Sequence, residues 1–74
     1  SDDAATLGRL NVATTPPRAK VYLGDVYWGL SPLNLDLAPD IYLLRVSLEG
    51  YKTASEKVSV RRAAATELEI TLEK

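Results

Sequence analysis

Residues 33–46 read Leu33-Asn34-Leu35-Asp36-Leu37-Ala38-Pro39-Asp40-Ile41-Tyr42-Leu43-Leu44-Arg45-Val46. Ahead of the proline, an apolar residue returns at every second position. The same alternation resumes behind it through Tyr42, Leu44, Val46 and Leu48. Side chains two apart lie on one face of an extended chain, so each set marks the inward face of a half-buried strand. Between the two sets, Pro39 restricts φ and Asp40 accepts turn geometries, which predicts two strands joined by a tight connection.

The pattern extends in both directions. Leu10 and Val12, Val21 and Leu23, Val58 and Val60, and Leu68, Ile70 and Leu72 repeat the spacing, while Asn11, Lys20, Asn34, Asp36, Arg45, Ser59, Glu69 and Thr71 fall on the opposite parity. Turn residues separate the sets at Thr15-Pro16-Pro17, Gly24-Asp25, Gly29-Leu30-Ser31-Pro32 and Glu49-Gly50. Short alternating segments punctuated in this way predict an all-β fold, a small antiparallel β-sandwich of about six to seven strands. The stretch Arg61 to Glu69 holds three alanines. About two turns of helix are marginal in water, so a turn leading into the last strand is expected there.

Composition narrows the function. Seventy-four residues make one domain, with an apolar fraction of 46% and no Phe, Met or Cys. Neither disulfides nor thiolate metal sites can support it, so the core must suffice. Nine basic and ten acidic residues, dispersed along the chain, lack the cationic clustering that neutralises nucleic-acid phosphates. No apolar run approaches the roughly 18 residues of a membrane span, so direct membrane insertion is not expected. Residues 1–8 are read as a linker and 9–74 as a single domain.

Without His or Cys, the commonest general base and the strongest nucleophile are missing. Lys20 with a nearby Ser, or any two of Asp25, Asp36, Asp40 and Glu49, is the thin remainder, better explained by solvated faces and turns. No catalytic residue and no enzyme activity are assigned. Asp25-Val26-Tyr27-Trp28-Gly29 offers one acid and three bulky side chains where a calcium loop alternates acids. Four isolated glycines form no phosphate-cradling loop. Neither a metal site nor a cofactor is expected.

Two apolar features do not fit an inward face. Tyr27 and Trp28 are adjacent, so in a strand one of them faces away from the core. Either it anchors a partner, protein or sugar, or Trp28 fills the core while Tyr27 covers an edge. Ile41 and Leu43 stand on the parity opposite Tyr42, Leu44 and Val46, which makes the start of that strand apolar on both faces. A neighbouring loop or another copy of the domain is expected to cover them.

The order Leu10-Asn11-Val12, Pro16-Pro17-Arg18-Ala19, Val21-Tyr22-Leu23-Gly24, Gly29-Leu30-Ser31-Pro32-Leu33, Pro39-Asp40-Ile41-Tyr42 and Gly50-Tyr51 resembles the PEGA domain family, a prealbumin-like or carboxypeptidase-regulatory-like sandwich. The family-motif positions are Pro16, Ala19, Gly24, Gly29, Pro32, Pro39, Tyr42, Gly50 and Tyr51, all read as structural, with Tyr51 a candidate for tying a corner through its hydroxyl. Two departures replace glycine: Arg18 in the Pro-Glu-Gly-Ala turn and Asp40 in the Pro-Gly turn. If both turns need a left-handed residue, Arg18 is strained and Asp40 mildly so.

The resemblance implies a non-catalytic structural or protein-interaction module of a larger bacterial or archaeal protein, outside the cytoplasm at the cell surface or in the periplasm. Its partners would be neighbouring domains, another protein or a second copy. The alternative is a carbohydrate or cell-wall binding module that uses exposed aromatics.

Overall fold

The computed structural model describes residues 6–74, and the first five residues of the expected linker lie outside it. The chain folds into seven strands: β1 (Gly8–Thr15), β2 (Lys20–Leu23), β3 (Val26–Leu30), β4 (Leu33–Leu37), β5 (Asp40–Ser47), β6 (Ala54–Val60) and β7 (Ala65–Thr71). A three-stranded sheet in the order β4-β1-β7 faces a four-stranded sheet in the order β3-β2-β5-β6. This is the all-β sandwich that the alternation predicts, and Arg61 to Glu69 holds a turn followed by a strand.

The alternation builds the core directly. Leu10, Val12, Leu35 and Leu37 of the smaller sheet, with Leu72, meet Val21, Leu23, Leu44, Val46, Val58 and Val60 of the larger one. Ala19 is fully buried beside them, and Tyr42, Tyr51, Leu68 and Ile70 pack against their margin. One pairing departs from the antiparallel expectation: β1 and β7 run parallel, Arg9 opposite Ala65 through Thr15 opposite Thr71. Parallel strands need a long crossover. Here the connection is almost the whole domain, since the chain leaves β1 and returns at β7 after completing the other sheet.

β1 begins at Gly8, inside the stretch read as linker. Gly8 is buried and lies opposite Leu37. A Cβ at this position would collide with the Arg61 carbonyl oxygen and lie 2.5 Å from Val60 Cγ1, so the strand can start here only with glycine. The alternation signal begins at Leu10 because Gly8 contributes no side chain to it.

Two connections that change sheets are tied together by buried hydroxyls. Thr14, Ser31 and Ala19 form a chain whose proton directions follow from valence. The Ala19 N–H donates to Ser31 Oγ at 3.1 Å, and Thr14 donates to the Pro16 carbonyl at 2.6 Å. The 2.6 Å contact between the two hydroxyls is therefore Ser31 donating to Thr14. Backbone bonds flank the chain, from Arg18 N–H to the Ser31 carbonyl and from Ser31 N–H to the Ala19 carbonyl, both 2.9 Å. The β1–β2 and β3–β4 connections thus behave as one corner, with Thr15–Pro16 and Ser31–Pro32 both cis.

The two glycine replacements separate at this level. Arg18 has a φ of 70° and carries the left-handed backbone of its turn. Asp40 does not: it is the first residue of β5, lies outside the left-handed region, and its Oδ1 accepts the Ile41 N–H at 2.7 Å. The expectation of strain at Asp40 is corrected accordingly. The corner hydroxyl is also reassigned from Tyr51 to Tyr42, whose OH donates to the Ala38 carbonyl at 2.6 Å across the β4–β5 connection. Tyr51 instead packs on the core margin, with Lys74 Nζ 5.7 Å from its ring centre.

Candidate functional site

The β2–β3 hairpin positions the aromatic pair. Gly24, with φ 59°, occupies the first turn position and Asp25 the second, while Leu23 pairs with Val26. Positive φ at the first position alone is the type II′ arrangement that suits right-twisted strands. The register then slips: Tyr22 pairs with Tyr27, but Val21 pairs with Gly29. Trp28 is therefore an extra residue, a β-bulge, and Gly29 resumes the ladder at φ 145°.

The bulge breaks the rule that adjacent residues face opposite sides. Tyr27 is 51% exposed and Trp28 is 44% exposed. The reading in which Trp28 fills the core is overturned, and among the described residues the core is built of Leu, Val and Ala19 with no fully buried aromatic. β3 is moreover an edge strand, so Val26 and Leu30 are also open to solvent. Sequence alternation could not show this, because being at an edge is a property of strand order.

Ile41 and Leu43 are the exposed large apolar residues of β5, at 68% and 53%. They occupy the outer face of the four-stranded sheet, as their parity requires. Tyr22 lies on that face too, with the Tyr27 ring 5.5 Å away and tilted, and with the Arg45 guanidinium 4.6 Å above its ring. Register connects these residues into rows: Tyr27, Tyr22, Arg45 and Ser55 in one, Leu43 and Lys57 in the next, Ile41 and Ser59 in the third. The sequence singled out Tyr27, Ile41 and Leu43 separately, and the sheet brings them to one surface. Arg45 is on the outward parity in the sequence, but its stacking on Tyr22 was not legible, because it depends on β2 pairing with β5.

The family-motif residues hold that surface in place rather than forming it. Pro16, Ala19 and Pro32 belong to the corner of Thr14 and Ser31. Gly24 and Gly29 shape the hairpin and bulge; Gly50, with φ 87°, turns β5 toward β6 next to Tyr51. Pro39 sets the β4–β5 connection that Tyr42 ties. Among the described residues no group of three or more His, Cys, Asp or Glu side chains is placed to hold a metal ion.

No curated protein matches the sequence. A family model described as the PEGA domain matches residues 7–74, a span that begins at the foot of β1, includes all seven strands and contains every motif position above. The chain belongs to the PEGA domain family.

Proposed function

We propose that this domain is a non-catalytic interaction module of a larger extracytoplasmic protein, and that it docks a protein surface through the outer face of its four-stranded sheet. The observation that carries the reading is the continuity of exposed Tyr27, Ile41 and Leu43 with Tyr22 and Arg45 on one rigid sheet. Isolated exposed apolar side chains are ordinary, but a connected group beside an open strand edge is the usual form of a docking surface. Aromatic and Arg side chains are also the residues that most often anchor interfaces. Membership of the family supports the modular part of the reading, and the extracytoplasmic location rests on that resemblance alone.

Hydroxyl-radical footprinting tests it in the intact parent protein. Tyr27, Ile41 and Leu43 are expected to be protected relative to the isolated domain. Equal reactivity in both settings sinks the reading. Tyr27 and Trp28, both near half exposure, also favour a second reading, stacking against cell-wall sugars. Retention on purified cell wall that disappears in folded Trp28→Ala would establish that alternative.

A further inference from the structure

The two outer faces of the sandwich differ in charge. On the four-stranded sheet, the outward strand positions carry Lys20, Arg45 and Lys57 and no carboxylate. On the three-stranded sheet they carry one cation, Arg9, against three carboxylates, Asp36, Glu67 and Glu69. Arg9 bonds Asp36 at 3.2 Å, which leaves the negative charge concentrated on β7. Opposite charges on opposite faces favour contact between unlike faces and oppose contact between like ones.

Shape agrees with charge. The acidic face is indented by a recess of about 180 Å³ whose lining includes Asn11 and Ala13 on the central strand β1, Pro32 and Asn34 at or on β4, and Glu67 and Glu69 on β7. Its lining is thus part apolar and its rim is acidic. The cationic face presents a complementary pair, Leu43 beside Lys57 in register across β5 and β6, both exposed. An aliphatic side chain with an adjacent ammonium is the chemistry that such a recess accepts.

We propose that the occupant of the cationic, apolar face is a second copy of this domain, presenting the acidic face of its three-stranded sheet, so that copies stack head to tail. This rests on the docking reading above and identifies its partner. A contact between unlike faces leaves the pair with one free face of each kind, so the assembly stays open unless a rotation closes it.

Sedimentation of the purified domain at millimolar concentration is the test. The wild-type mass is expected to rise beyond the dimer. Leu43→Glu places an acid on the docking face, and Ala13→Trp fills the recess; both positions lie on outward faces, and far-ultraviolet circular dichroism checks folding. Each variant alone is expected to remain monomeric, and an equimolar mixture to form a dimer with one partner of each kind, since one intact face survives on each. If Ala13→Trp does not fold, Glu69→Lys alters the same rim from an exposed position and is expected to behave alike.

Association of the recess variant by itself, a mixture that stays monomeric, or a wild type that never associates overturns the proposal. Protection of Ile41 and Leu43 in the intact parent would still uphold docking to a different protein, so the two readings fail separately.

Discussion

Single residues account for both the strain and the cohesion of the turns. Arg18 holds a left-handed backbone that costs a non-glycine residue about 1–2 kcal/mol, partly offset by the greater unfolded-state entropy of glycine. Arg18→Gly is therefore expected to raise stability by about 0.5–1 kcal/mol, read as a higher urea midpoint with unchanged slope. Ser31 acts in the opposite sense. It is 2% exposed, accepts from Ala19 and donates to Thr14. Ser31→Ala removes a hydroxyl between two buried partners, and a loss of about 1–3 kcal/mol is expected in the same measurement. The family pattern at these turns was legible in sequence, but the need for a left-handed residue was not: Arg18 has it, whereas Asp40 begins a strand and caps its own neighbour.

Among the elements, β3 is the one whose character sequence reasoning could least establish. Its composition, Val26-Tyr27-Trp28-Gly29-Leu30, suits a buried strand, yet its side chains are mostly exposed. Two causes combine: β3 is the last strand of its sheet, and the bulge at Trp28 breaks its alternation. A consequence is that Trp28→Ala leaves the core intact. Thermal denaturation of this variant is expected to show a change below about 1 kcal/mol, against the roughly 3–5 kcal/mol typical of truncating a buried aromatic. A large drop would show that the indole packs more tightly than its exposure indicates. β5 differs, because its two-faced apolar start was readable from parity alone: Leu44 and Val46 go inward and Ile41 and Leu43 outward, as their positions require.

For the whole molecule, stability depends on a small aliphatic core shared by two sheets, with no disulfide to support it. Leu44 is fully buried in β5, a central strand of the larger sheet. Leu44→Ala is expected to cost about 2–5 kcal/mol, a large part of the roughly 5–15 kcal/mol that natural domains possess. Loss of the cooperative transition, or a midpoint lowered to match, is the outcome to measure by chemical denaturation. The parallel closure of β1 on β7 couples the first and last strands, since β7 joins the smaller sheet only through its pairing with β1. The sequence by itself determined the strands, the inward set of Leu and Val and most of the turns, because a period of two and the φ limits of Pro and Gly are local properties of the chain. Strand order, the parallel pairing and the gathering of Tyr27, Ile41 and Leu43 onto one face were decided only by tertiary structure, because each depends on which distant segments become neighbours, and the bulge by the pairing register of the β2–β3 hairpin, which alternation alone does not carry.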